Sequence, residues 1–263
     1  MNNKKAIEGF ENEKDFVKKL NSNKSHKYWK ILVKNNNKDL FFIRIKGQKL
    51  CIPINKKISP KADVYIAKIN ISKNELLKKN FYLEENGKLD VSKFIPQTGI
   101  SIKMRNTNYQ IDKCSVDKFF YRFHSRELFA GATIYSKNVV DFKKNHKKLI
   151  SSETNWKKMA EYFSKQELKD IDENTEFNEH HKRIFKLIQK FSYHKIKAET
   201  LKSTKILNSL YKGIEEFDEP YCAHWLLIND SLTQKIPKDI TVTKGSTHGG
   251  EIDPTVVFKP KLS

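Results

Sequence analysis

The run Thr98-Gly99-Ile100-Ser101-Ile102-Lys103-Met104 alternates apolar and polar side chains with a period of two, the pattern of a β-strand with one buried face. Successive strand side chains point to opposite faces, so Ile100, Ile102 and Met104 share one side while Ser101 and Lys103 stand together on the other. A second strand is expected from Val64-Tyr65-Ile66, entered through the turn Ser59-Pro60-Lys61-Ala62-Asp63, which puts an aspartate at its mouth. The chain must therefore build a sheet that buries one face of these strands and gathers a lysine, a hydroxyl and a carboxylate on the other.

The remaining elements are read outward from that stretch. Residues 6–20 have helical spacing, with Phe10, Val17 and Leu20 on one stripe and Glu13 on the same stripe. A carboxylate there is costly unless paired or bound to metal. Short strands are expected at 30–33, 40–45 and 50–53. Residues 110–113 read as a connector, and 115–123 as a helix capped by Ser115. Helical periodicity runs from 152 to 216, with stripes through Trp156, Met159, Ala160 and Phe163 and through Ile184, Leu187, Ile188 and Phe191. His180 and His181 lie within it, and two adjacent histidines cannot face one way on a helix. Strand character returns at Tyr221–Ile228. Ile240–Lys244 and Thr255–Lys259 then form a hairpin around a polar, glycine-rich tip at Gly245–Gly250. The expected fold is α/β (α+β): a mixed central sheet flanked by helices, with a helical insertion and a C-terminal β-hairpin. The expected division is 1–150 and 151–263, or one continuous domain.

Lys and Arg number 51 against 31 Asp and Glu, a net charge of +20, which favours a polyanionic partner, nucleic acid before an anionic membrane surface. The three cysteines, Cys51, Cys114 and Cys222, are far apart and odd in number, which fits neither a disulfide framework nor a CxxC zinc pattern. The N-terminal Met1-Asn2-Asn3-Lys4-Lys5 has no apolar leader, and no apolar run approaches the roughly 18 residues of a membrane span. A cytoplasmic protein with no membrane association is expected.

The polar face described above has the chemistry for phosphodiester hydrolysis, which needs a positioned water and positive charge near the phosphorus. Mg²⁺ takes a few hard oxygens and keeps several waters, so Asp63 and the Ile102 carbonyl can hold it together with phosphate oxygens. Lys103 would orient or deprotonate the attacking water. Ser101 can hydrogen-bond a water, and Glu13 is the candidate further acid.

Five blocks in order carry a resemblance. They are Glu8-Gly9-Phe10-Glu11-Asn12-Glu13-Lys14-Asp15, Lys61-Ala62-Asp63-Val64, Ile100-Ser101-Ile102-Lys103, Tyr109-Gln110-Ile111-Asp112-Lys113, and the late pair Ala223-His224-Trp225-Leu226-Leu227 with Val257-Phe258-Lys259. Together they resemble the HinP-type, GCGC-cutting restriction endonucleases and, more distantly, the MspI-like ones; the helical middle is poorly matched. The resemblance implies a PD-(D/E)xK nuclease core with Asp63 and Lys103 as the catalytic aspartate and lysine. The relatives carry an amide two residues before the lysine, where this chain has Ser101. Some nucleases with serine there recruit an acid from the following helix, and Asp117 is the residue so placed, ranked after Glu13 or an all-neutral site.

The implied function is that of a type II restriction endonuclease, cleaving double-stranded DNA with Mg²⁺ at a short site, four base pairs being expected. Mn²⁺ is expected to substitute. A repair or structure-specific nuclease with the same core, and a sequence-specific DNA-binding protein without catalysis, remain as alternatives. A DNA methyltransferase would be a functional partner, and a monomer or weak dimer is expected. DNA contacts are expected from Arg105, Asn108, Tyr109, Gln110 and Lys113 after the catalytic strand, and from Lys244, Ser246, Thr247, His248 and Lys259 on the hairpin. Side-chain donors such as Gln110 and Lys113 can address purine edges in the major groove, which also admits a two-stranded ribbon. Scattered lysines are expected on phosphates.

Overall fold

A computed structural model describes residues 2–33, 38–83, 91–103, 109–123, 126–136, 182–245 and 255–261. The elements begin with α1 (Asn2–Ser22), α2 (Lys27–Leu32), β1 (Leu40–Arg44), β2 (Lys49–Cys51), a 3₁₀ turn (Ile52–Ile54) and β3 (Lys56–Ile58). There follow β4 (Val64–Ile69), α3 (Lys73–Lys78), β5 (Val91–Phe94), β6 (Ile100–Ile102), β7 (Asp112–Ser115), α4 (Val116–Phe123) and α5 (Arg126–Tyr135). The last are α6 (Lys182–Lys202), α7 (Thr204–Lys212), β8 (Trp225–Ile228), β9 (Ser231–Thr233), β10 (Ile240–Lys244) and β11 (Thr255–Pro260).

The chain divides into two compact units, each discontinuous in sequence: residues 1–109 with 208–236, and residues 110–207 with 237–263. The sequence-based division at residue 150 cut across both. Each unit closes a sheet with strands from distant parts of the chain, and chain order does not reveal such pairing.

The first unit carries a six-stranded mixed sheet in the order β1-β4-β6-β8-β9, with β5 also on β4. Its pairs are antiparallel except β6 with β8, which run parallel with Ser101 opposite Leu226. Val17, Leu20, Phe42, Ile43, Ile66 and Ile100 are fully buried around it, and each such side chain contributes about 1.5–3 kcal/mol through removal from water. Asn21 fastens α1 to the outer edge of β1, accepting from the Phe42 amide at 2.8 Å and donating to its carbonyl at 2.9 Å.

The strand expected at 30–33 is the helix α2: Trp29 is buried while Lys30 and Ile31 are exposed, and the Trp29 indole donates to the Leu20 carbonyl at 2.9 Å. A three-residue apolar run has no readable period. Phe10 is not on the buried stripe of α1; it is 59 % exposed.

The second unit has a three-stranded antiparallel sheet in the order β10-β11-β7. The expected hairpin strands pair, with Val242 opposite Phe258. The expected connector at 110–113 is largely strand instead: β7 pairs with β11, Lys113 opposite Val257. Phe119 of α4 stacks on Phe258, and Arg122 meets Asp112 at 2.6 Å, fixing α4 to β7. The stripe through Trp156–Phe163, the His180-His181 pair and the hairpin tip at 246–250 lie outside the described residues.

Candidate active site

The register of the larger sheet builds the site. Val64 pairs with both Arg44 of β1 and Ile100 of β6, so Asp63, one residue before, falls between Ile45 and Ser101. The Ile45 amide donates to the Asp63 carbonyl at 2.9 Å, and the Asp63 amide donates to the Ile100 carbonyl at 2.8 Å. The aspartate backbone is thus held from both neighbouring strands.

Gly99 lets β6 start in this position. A β-carbon at Gly99 would lie 2.1 Å from the Cys222 carbonyl oxygen. The Gly99 carbonyl accepts from the amides of His224 and Trp225 at 2.9 and 3.0 Å, which sets the parallel register of β8.

The Asp63 side chain reaches β6. Its Oδ2 accepts from the Ile102 amide at 2.6 Å and makes a long contact with the Ser101 hydroxyl at 3.5 Å. Ser101 is buried. The Lys103 amide donates to the Leu227 carbonyl at 2.9 Å, so Lys103 emerges where β6 and β8 are still paired. Burial raises the Asp63 pKa above the ordinary carboxylate value, opposed first by the Lys103 ammonium, then by the Ile102 amide, the Ser101 hydroxyl and Lys61.

Glu13 comes from α1. It lies 3.3 Å from the Nη2 of Arg44, which also donates to the Phe10 carbonyl at 3.0 Å. Burial, followed by repulsion from Asp63, raises the Glu13 pKa to about 7 against the opposing charges of Arg44 and Lys103. Glu13, Asp63 and Lys103 thus act on one another electrostatically.

Sequence reasoning assigned no role to Arg44. Its guanidinium lies over the Tyr82 ring at 4.3 Å, and its Nε is buried with no hydrogen-bond partner among the described residues. The available signal was an arginine inside the apolar run Leu40-Phe41-Phe42-Ile43, where a charge demands a partner.

A cavity of about 380 Å³ adjoins Lys103, lined by Asn12, Asp15, Phe16 and Lys19 of α1 together with Ile102 and Leu227. Four of these α1 residues fall at helical spacings that repeat on one face, so the helix presents a mixed amide, acid and lysine surface to the space beside the site.

The donor set suits a hard divalent cation. Burial raises the pKa of both Asp63 and Glu13, and a nearby cation would favour their ionised forms. Ile102 turns its amide toward Asp63; N–H and C=O of one extended residue leave the strand on the same side, so its carbonyl belongs to that side too.

The DNA-contact residues expected from sequence separate by unit. Tyr109 belongs to the first and is half-buried, which raises its pKa. In the second, Gln110 and Lys113 are exposed and Lys259 is half-buried. The register places Lys113, Thr241, Thr243 and Lys259 on one face of the small sheet. Lys244 has the opposite parity: its ammonium donates to Gln189 of α6 at 3.0 Å and lies 5.8 Å from the Tyr135 ring. Arg105, Asn108, Ser246, Thr247 and His248 lie outside the described residues, and Asp117 lies on α4 without a described side chain.

No family model, no curated protein and no solved structure matches this chain. Among the described residues, no helix is long and apolar enough to cross a membrane.

Proposed function

We propose that this chain is a Mg²⁺-dependent deoxyribonuclease of the PD-(D/E)xK kind, acting as a type II restriction endonuclease on a short duplex site. The observation that carries the reading is the convergence of Asp63, Ser101 and Ile102, with Lys103 and Glu13 within electrostatic reach of Asp63. The net charge of +20 supports a polyanionic substrate.

In this reading Asp63, Glu13 and the Ile102 carbonyl would hold Mg²⁺, which would supply positive charge to stabilise the transition state and make water a better nucleophile. The Ile102 amide and Ser101 hydroxyl keep the Asp63 carboxylate from turning away. Lys103 orients the attacking water and offsets charge building on the phosphoryl oxygens. The water oxygen bonds to phosphorus as the bridging P–O bond breaks; the attacking water gives its proton up to solvent, and the leaving oxygen takes one from solvent. Arg44 positions Glu13.

The test is digestion of plasmid DNA with Mg²⁺ and mapping of the ends. Discrete fragments are expected, lost in Asp63→Ala and Lys103→Ala while duplex binding in Ca²⁺ persists. Cleavage by either variant at the parental rate would refute the assignment. Cutting without fixed ends would point to a repair or structure-specific nuclease instead.

A further inference from the structure

Within the same unit, three metal-ligating side chains meet away from Asp63. In the segment between α7 and β8, His224 Nε2 lies 2.6 Å from Glu219 Oε1 and 3.5 Å from Cys222 Sγ. One ligand atom from each residue falls within 4.8 Å of the others. Cys222 is buried, while Glu219 and His224 are half-buried.

The arrangement is not that of a nucleophilic triad. In a triad the acid and the nucleophile take opposite nitrogens of the imidazole, so that one orients the ring while the other gives up a proton. Here carboxylate and thiol crowd the same nitrogen, which carries at most one proton. Donation to Glu219 uses that proton. Three ligand atoms of different side chains gathered within 4.8 Å of one another are the raw material of a metal centre.

The spacing favours zinc. Tetrahedral zinc with ordinary Zn–S and Zn–N bonds holds its sulfur and nitrogen ligands about 3.5 Å apart, and the Cys222–His224 separation is 3.5 Å. A carboxylate oxygen and an imidazole nitrogen on the same ion stand about 3.3 Å apart, so Glu219 need retreat by less than 1 Å. Thiolate with imidazole selects zinc-like ions over Mg²⁺. The outer contacts are also present. The Gln97 amide donates to the Glu219 carboxylate at 3.2 Å, and the Trp225 indole donates to the Gln97 carbonyl at 3.1 Å.

We propose that Glu219, Cys222 and His224 form a zinc-class metal site whose fourth position is open to water, in the segment before β8, and that the Gln97 amide on Glu219 links it to the turn before β6. Both segments lead directly into the strands that carry Ser101 and pair beside it. The proposal does not depend on nuclease activity.

The experiment is titration of the full-length, chelator-stripped protein with Co²⁺, followed by competition with Zn²⁺. The near-ultraviolet absorption of a cobalt–thiolate bond is expected to saturate at one equivalent of thiolate-bound Co²⁺, and Zn²⁺ should displace it. Cys222→Ser should abolish that band, and His224→Gln should weaken binding by more than about tenfold, since loss of even an outer-shell partner costs about that much. Asp63→Ala should leave the band intact, which separates this site from the proposed Mg²⁺ site. Zn²⁺ should raise the melting temperature of the parent but not of Cys222→Ser. Absence of a thiolate band in the parent, or its persistence in Cys222→Ser, would overturn the proposal.

Discussion

Arg44 Nη2 lies 3.3 Å from Glu13 Oε2, joining the end of β1 to α1 with the arginine side chain only 3 % exposed. The guanidinium is held on its other side by the Tyr82 ring. The pair opposes the effect of burial without cancelling it, since the Glu13 pKa still stands at about 7 under burial and the nearby Asp63.

Arg44→Ala should be strongly destabilising. Removing one partner of a buried ion pair leaves the other uncompensated, at a cost of about 3–5 kcal/mol; the exposure of Glu13 places the expectation near the lower end. Urea unfolding measures it. Arg44→Lys should recover only part, because it restores the charge but not the planar fork over Tyr82.

Glu13 makes stability depend on pH. Its pKa is raised from 4.5 to about 7 on folding, so between those values the folded chain holds a proton that the unfolded chain has released. Raising the pH through that window strips the proton and lowers the stability of the metal-free protein. Glu13→Gln should flatten the dependence, read from urea midpoints at about pH 5 and pH 8. The raised Asp63 pKa has the same sign, so a residual slope is expected. An unchanged slope in the variant would remove Glu13 from the cluster.

Ser101→Ala should reduce cleavage by about tenfold rather than abolish it, the scale of one hydrogen bond to a charged group. The hydroxyl contact to Asp63 is long at 3.5 Å, and the tighter one, at 2.6 Å, comes from the Ile102 backbone. Ser101→Gln, by contrast, would force extra atoms into a buried position, with an overpacking cost of about 1–3 kcal/mol. Single-turnover rates alongside thermal melts would separate the two effects.

Gln110→Ala and Lys113→Ala should each weaken cognate DNA binding by about 1–3 kcal/mol, as for a lost base contact, while sparing scrambled duplexes. Lys259→Ala, on the same face as Lys113, tests whether that surface contacts DNA. Lys244→Ala should have less effect on DNA, since its ammonium engages Gln189. Fluorescence titration at two salt concentrations distinguishes base from phosphate contacts through the salt slope. Equal losses on both duplexes would assign Gln110 and Lys113 to the backbone.

Strong local periodicity made several elements legible in the sequence. The alternation at 98–104 announced β6, which carries Ser101. Helical spacing announced α1, and the terminal alternations announced the β10–β11 hairpin. Those patterns depend on the geometry of a single element, which neighbouring residues alone determine.

Tertiary structure decided what joins distant residues. The strand β7 looked like a connector because its partner, β11, lies more than a hundred residues away. The helix α2 looked like a strand because its faces are distinguished by the burial of Tyr28 and Trp29, which tertiary packing supplies. The meeting of Arg44 with Glu13, and of Glu219, Cys222 and His224 around one ring nitrogen, depends on the strand register and chain path that bring the side chains together. The sequence by itself determined which carboxylates, hydroxyls, thiols and cationic side chains the chain carries; register, burial and long-range pairing decided which of them meet, because charge and hydrogen bonding act through space rather than along the chain.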